Sequence, residues 1–153
     1  MIRVFALFSL ILLAGCATTG MTAAPIAVAN VGPVSLSFGD LPDTPNAVQD
    51  TFDSAFGVEA PLHGIPFDAG DSGTVIVQGY LSVAGSASGT LLIYVFDFVD
   101  RDGNRLTRIG GQMSTEEAPT DPWDAVDYAL VQAVAARVLG EFRVWLDDNR
   151  VSA

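Results

Sequence analysis

Alternation of apolar and polar residues marks the first predicted element of the chain. Residues 34–38 read apolar, polar, apolar, polar, apolar, which is the period of a strand with one buried face. Thr44 and Pro45 then predict a helix start, with Thr44 as the N-cap and Pro45 as the first helical residue. Apolar residues continue at helical spacing, and Gly57 is expected to close this helix. Residues 59–73 are rich in Pro, Gly and Asp and predict a loop.

Two long strands are predicted next, over residues 74–84 and 89–99, with the short linker Gly85-Ser86-Ala87-Ser88 between them. Residues 91–96 are apolar at every position, which is typical of a central strand covered on both faces. The Asp-Gly pair at 102–103 predicts a tight turn. A return strand over 105–113 follows, with an expected bend or bulge at its two glycines.

The C-terminal region predicts a long helix from Trp123 or Asp124 to about Leu146. Its apolar residues recur at spacings of three and four and form one inner stripe: Tyr128, Val131, Ala135, Val138, Leu139, Phe142, Trp145 and Leu146. Arg137 and Glu141 are i, i+4 partners on the other side. The element order is therefore β-α-β-β-β-α. This order predicts an α+β two-layer sandwich, with a mainly antiparallel sheet of three to five strands and two helices on one face.

The N-terminal residues predict a lipid anchor. Arg3 precedes an apolar run over residues 4–14, the arrangement of a secretory signal, and the run is too short to span a membrane, which takes roughly 20 residues. The run ends in Leu13-Ala14-Gly15-Cys16, which resembles the bacterial lipobox. The resemblance implies that the thiol of Cys16 is diacylated, that the bond between Gly15 and Cys16 is cleaved, and that the new α-amine is acylated.

These features predict four segments: a signal peptide (1–15), a lipidated Cys with a flexible tether (16–33), an α+β globular domain (34–148) and a tail (149–153). Within the tether, residues 26–28 are a candidate strand start. Residue 17 is Ala rather than Asp. By resemblance to enterobacterial sorting, this implies a location in the outer membrane, facing the periplasm.

Charge narrows the expected partners. The 153 residues include 18 acidic and 7 basic ones, all of the basic ones Arg, and the net charge is −11. Loss of Arg3 with the signal peptide leaves six basic against eighteen acidic residues, a net of −12. Such a chain lacks the Lys/Arg clusters that bind phosphate, so we expect neither nucleic acid nor an anionic membrane surface as partner. Membrane association is expected from the acyl chains on Cys16.

Few residues are candidates for catalysis or metal binding. One Cys and one His predict no metal site of the Cys/His kind, and no cofactor is expected beyond the covalent lipid. Asp97 is the carboxylate to suspect, because it lies in the most apolar strand; buried there, it would need a partner such as Arg105 or Arg108 across the hairpin. Residues 100–104 superficially resemble a calcium loop, but Gln112 stands near the position where that loop needs Glu, so a hairpin turn is favoured. His63 lies in a predicted loop, and no nucleophile-elbow motif is present.

Aromatic side chains on the strands predict a partner surface. If helices cover only one face of the sheet, the other face exposes apolar side chains, and we assign Tyr80, Tyr94, Phe96 and Phe98 to that surface. An envelope protein is one candidate partner and self-association is another. The alternative is that the N-terminal segment covers the face.

The order of elements and the turn residues, over about residues 34–148, resemble small periplasmic domains. They are similar to the N-terminal domain of TolB, the curli-secretion lipoprotein and the lipoprotein activator of penicillin-binding proteins. They are also similar to uncharacterised alphaproteobacterial lipoproteins in which a Trp precedes an Ala-rich terminal helix, as Trp123 does here. The resemblance implies a lipid-anchored binding or envelope-assembly module without catalytic activity. The alternatives are an envelope hydrolase that uses a carboxylate such as Asp97, and a purely structural envelope lipoprotein.

Overall fold

The structure is a computed structural model and describes residues 33–150. Its elements are β1 (Leu36–Phe38), α1 (Asn46–Leu62), β2 (Val75–Ser86), β3 (Gly89–Asp100), β4 (Arg105–Thr115), a 3-10 helix (Pro122–Ala125) and α2 (Tyr128–Arg150). The predicted order of strands and helices and the α+β class are confirmed.

The sheet is mixed and has the order β1-β2-β3-β4. β1 pairs in parallel with the start of β2, and α1 forms the crossover between them. β2, β3 and β4 form an antiparallel meander. The ladder has a register shift at Phe98/Val99, whereas Gly110 and Gly111 pair regularly with Val95 and Tyr94. The prediction of a bulge at the glycines is therefore wrong, and the bulge lies near the β3–β4 turn.

Helix α1 is longer than predicted. It passes through Gly57 and Pro61, and the chain leaves it at His63 and Gly64, where Gly64 has φ +69. A Cβ at Gly57 would lie 3.3 Å from the ring of Phe67, so this glycine provides close packing rather than a helix end. The N-cap position belongs to Pro45, and the hydroxyl of Thr44 donates to the carbonyl of Pro42 instead.

The final helical region contains a break that the apolar spacing did not reveal. Asp121 accepts a hydrogen bond from the amide of Trp123 and caps the 3-10 helix, and Asp127 accepts one from the amide of Leu130 and caps α2. The apolar spacing predicts Tyr128 on the inner stripe, which is wrong: Tyr128 is the first residue of α2 and is 47% exposed. The predicted Arg137–Glu141 pair is present, with 3.1 Å between Nε and Oε1.

The core lies between the sheet and the two helices. Phe96 on β3 is its centre, with ring centroids 5.7 Å from Phe52 and 5.2 Å from Phe56 of α1. Phe98 stacks on Phe142 of α2 at 3.8 Å. All five of these rings are fully buried. The helices therefore cover one face of the sheet, and the other face is the place to look for a site.

Candidate functional site: the open face of the sheet

The register of the β2–β3 hairpin decides which side chains share a face. Tyr80 pairs with Val95, and Ser82 pairs with Ile93. Even-numbered residues of β2 therefore share a face with odd-numbered residues of β3, because paired residues point to the same side of a sheet. Tyr80 lies on the face away from the helices. Even-numbered residues of β3 point to the helices.

This register corrects the predicted partner surface. Tyr94 is 1% exposed, and Phe96 and Phe98 are fully buried beneath the helices. They are core residues, so the expectation that they lie on the exposed face is wrong. Tyr80 alone of the four is on the uncovered face, where it is 53% exposed. The length of the β2–β3 linker carries this information. An even number of residues between two paired strands places even positions of one strand opposite odd positions of the next.

We call the uncovered side of the three long strands the open face. No described element packs over it. Its strand positions come from paired rows of the ladder: Ile76, Gln78, Tyr80, Ser82 and Ala84 on β2; Leu91, Ile93, Val95, Asp97 and Val99 on β3; and Arg105, Arg108, Gly110, Gln112 and Ser114 on β4.

An apolar stripe runs along the middle of the open face. It consists of Leu91, Ile93 and Val95 on the central strand together with Tyr80 beside them. Ile93 is 42% exposed, which is unusual for an isoleucine on a central strand. Small and polar residues flank the stripe on both neighbouring strands. An apolar centre with a polar border is the composition of a protein interface.

An ion-pair cluster lies at one end of the open face. Arg108 donates two hydrogen bonds to Asp97, with Nε to Oδ1 at 2.7 Å and Nη2 to Oδ2 at 2.6 Å. The Nε of Arg105 is 3.8 Å from the same carboxylate. The hydrogen bonds from Arg108 lower the pKa of Asp97, against the opposing effect of burial. The predicted pairing of Asp97 across the hairpin is confirmed with both arginines.

Two shallow grooves border the open face. A groove of about 630 Å³ lies at the β2–β3 turn, and its lining includes Ala84, Leu91, Ser114 and Glu116. A smaller one of about 220 Å³ lies at the edge of β2, between the loop at Asp40 and the side of Tyr80. Each groove has a single carboxylate in its lining. Neither offers the pair of converging carboxylates that most glycoside hydrolases use.

The remaining candidate residues have structural roles in the described chain. Asp100 accepts from the backbone amides of Asp102 and Asn104 at 3.0 and 2.8 Å, so its carboxylate closes the β3–β4 turn. The side-chain amide of Asn104 also donates to this carboxylate, at 3.1 Å. This bond, together with those from the backbone amides, lowers the pKa of Asp100. His63 follows the end of α1 and packs beside Gly140. Within residues 33–150, no group of three or more His, Cys, Asp and Glu side chains is arranged to hold a metal ion.

The lipid-anchor residues Gly15 and Cys16, and the candidate strand at 26–28, lie outside the described residues. Of the helices in the described part of the chain, none has the length and apolar character to cross a membrane.

Comparison with known proteins identifies the fold. No protein-family model matches the chain, and no curated protein matches it. Among solved structures, protein XCC0632 from Xanthomonas campestris, of the DUF330 family, aligns with a TM-score of 0.52 and 8% identity over 76% of this chain and 88% of that one. The PelC dodecamer from Paraburkholderia phytofirmans aligns with a TM-score of 0.46 and 10% identity over 69% and 86% of the two chains. At these identities the likeness to XCC0632 shows a shared fold alone, and the PelC alignment is too distant to support an argument.

Proposed function

We propose that this protein is a lipid-anchored, non-catalytic module of the bacterial cell envelope that binds a protein partner through the open face of its sheet. The anchor is the acylated Cys16, and the expected location is the outer membrane on its periplasmic side. The folded domain supplies the contact surface.

The observation that carries this proposal is the open face itself. The apolar stripe occupies the central strand, and the helices of the domain pack on the opposite side. A β3 sequence that is apolar on both faces is typical of a strand covered on both faces. The helices of the domain cover one face of β3, and no described residues pack over its other face. A partner protein supplies the second cover in our proposal.

The state of Asp97 supports a structural role for it over a catalytic one. A general acid at neutral pH needs a raised pKa, whereas the two arginines hold Asp97 in its ionised form. Both of its oxygens accept hydrogen bonds from Arg108, so the carboxylate has its hydrogen-bonding capacity largely filled. The geometry therefore favours a fixed ion pair at the end of a contact surface.

The anchor is tested by replacing its nucleophile. Cys16→Ser in the full chain should move the protein from the membrane fraction to the soluble periplasmic fraction, because the serine hydroxyl does not form the thioether. Ala17→Ser is the matched control, since it changes the neighbouring residue and leaves the thiol in place. Complete retention of the Cys16→Ser protein in membranes would refute the lipid anchor.

A further inference from the structure

The open face has the form of a self-complementary surface, and this inference rests on the binding role proposed above. A row of the ladder is a set of directly paired residues on β2, β3 and β4. The rows on the two sides of Ser82–Ile93–Gln112 have side chains of complementary size. On one side of it lies the row of Tyr80, Val95 and Gly110, and on the other the row of Ala84, Leu91 and Ser114. On β2, the bulky Tyr80 and the small Ala84 are thus equally far from Ser82 in the central row.

We infer that a second copy of this chain covers the open face, related to the first by a twofold axis along the row Ser82–Ile93–Gln112. Such an axis places the stripes of the two copies on each other with antiparallel strands. Tyr80 of one copy then faces Ala84 of the other, and Val95 faces Leu91. A twofold interface must be self-complementary in this way, because each patch meets its own copy.

Charge complementarity fits the same axis. Arg108 and Glu116 are equally far from Gln112 along the chain, four residues on either side. Glu116 directly follows the last residue of β4 and lies in the lining of the 630 Å³ groove beside Ala84. The axis therefore brings Glu116 of one copy to the end of the open face at which Arg108 of the other copy lies. The strand positions of the open face carry two arginines and one aspartate. These positions therefore have a small positive net charge, whereas the chain as a whole is strongly negative.

The area of the face suits a reversible dimer. Three strands at a spacing of about 4.8 Å and an overlap of about nine residues at 3.4 Å each give a patch of roughly 14 by 30 Å on each copy. Two such patches amount to roughly 840 Å² before side-chain relief is added, which is the size of a weak, transient interface rather than of a permanent one. Lipid anchors favour association, since they confine both copies to one membrane and raise their effective concentration.

Cysteine cross-linking in membranes tests this arrangement on the full chain. A short bis-maleimide suits the spacing of about 10 Å between packed sheets, which is too wide for a disulfide. Gln112→Cys and Ser82→Cys lie on the axis and are exposed polar positions, so each should give a homodimer. Gln78→Cys lies on the same face but four residues from the axis, so its two copies are about 27 Å apart and should not cross-link. Val144→Cys, 61% exposed on α2, and the wild-type chain with its Cys16 are the other controls.

Charge reversal gives a second, independent measurement. Glu116→Arg sets two cations against each other and should lower the homodimer yield of Gln112→Cys roughly three- to tenfold. Asp53→Arg makes the same change of charge on the exposed side of α1 and should leave the yield unchanged.

The outcomes separate this inference from the proposed function. Equal homodimer yields from Gln78→Cys and Gln112→Cys would overturn the twofold axis. Cross-linking of Gln112→Cys and Ser82→Cys to a different protein would overturn the second copy as occupant and leave the binding role standing. Full labelling of both cysteines by a monofunctional maleimide in membranes, with no cross-link, would overturn the inference and the binding role together.

Discussion

The two faces of the sheet use similar side chains on the same central strand for different purposes. On the covered face, Tyr94, Phe96 and Phe98 are buried against the helices. On the open face, Leu91, Ile93 and Val95 alternate with them, and Ile93 remains 42% exposed. Residue type does not distinguish the faces, because both are apolar. The difference lies in what packs on them: the helices bury one apolar face of β3, and no described element covers the other.

The largest expected effect is a difference in the free energy of unfolding between a substitution on the covered face and one on the open face. Phe96→Ala should lower the free energy of unfolding by about 3–5 kcal/mol, because it empties the centre of the aromatic cluster. Ile93→Ala is the matched change on the open face and should cost about 1 kcal/mol or less, since its side chain is already half in water. Urea unfolding followed by the fluorescence of the two tryptophans measures both. Equal losses would mean that the open face is also core.

Adjacent glycines on β4 provide a finer version of the same comparison. A Cβ at Gly111 would lie 2.5 Å from the hydroxyl of Tyr94 on the covered face, whereas one at Gly110 would meet the backbone oxygen of Tyr94 at 3.3 Å. Gly111→Ala should therefore destabilise the fold by about 1–3 kcal/mol. Gly110→Ala should cost less than about 1 kcal/mol. Thermal or urea unfolding of the two variants ranks them, and the reverse order would contradict the assignment of faces.

The ion pair at the end of the open face predicts a pH dependence. The pKa of Asp97 is lowered in the folded chain by the hydrogen bonds from Arg108, so its stabilising effect is complete above the usual pKa range of aspartate and is lost as the pH falls through the folded pKa. Asp97→Asn should lose about 1–2 kcal/mol at neutral pH, and its difference from wild type should shrink in acid.

Asp53→Asn is the control, because the pKa of Asp53 is shifted in the opposite direction to that of Asp97. Burial and the neighbouring Asp50 raise the pKa of Asp53, so its neutralisation should cause no loss of stability at neutral pH. Unfolding titrations from neutral to acidic pH test both carboxylates. A constant gap between wild type and Asp97→Asn at all pH values would contradict the ion-pair account.

The smallest effect concerns a single hydroxyl of the covered face. The hydroxyl of Tyr94 is buried and has no hydrogen-bond partner among the described residues. Tyr94→Phe should therefore leave the free energy of unfolding unchanged or raise it by up to about 1 kcal/mol, because removing an unsatisfied polar group costs nothing. The matched substitution Tyr80→Phe on the open face should be neutral within about 0.5 kcal/mol. A clear loss in Tyr94→Phe would reveal a partner for that hydroxyl.

Local patterns predicted most of the fold. Alternation, the Asp-Gly turn and helical spacing are local signals, so the order of elements and the strand positions followed from them. The end of α1 did not, because the Pro- and Gly-rich composition after Gly57 predicts that Glu59 lies in a loop. In the structure Glu59 is a buried helical residue that accepts a hydrogen bond from Gln132 of α2 at 2.9 Å. That contact joins residues 73 positions apart, and no local pattern reports it.

The candidate site was predictable only in part. An exposed sheet face and the pairing of Asp97 with its arginines followed from the sequence, because both depend on a single hairpin. The aromatic residues were placed on the wrong face because alternation gives the faces of each strand separately. The relation between two strands depends on their register, which the length of the connecting turn determines.

The three tyrosines of the wild-type chain test the central claim most directly. Tyr80 lies on the open face, Tyr94 lies on the covered face, and Tyr128 on α2 is an exposed internal reference. We expect hydroxyl-radical footprinting of the dilute, monomeric protein to modify Tyr80 and Tyr128 to similar extents and to leave Tyr94 unmodified. Modification of Tyr94 at the rate of Tyr80 would contradict the division of the sheet into a covered and an open face.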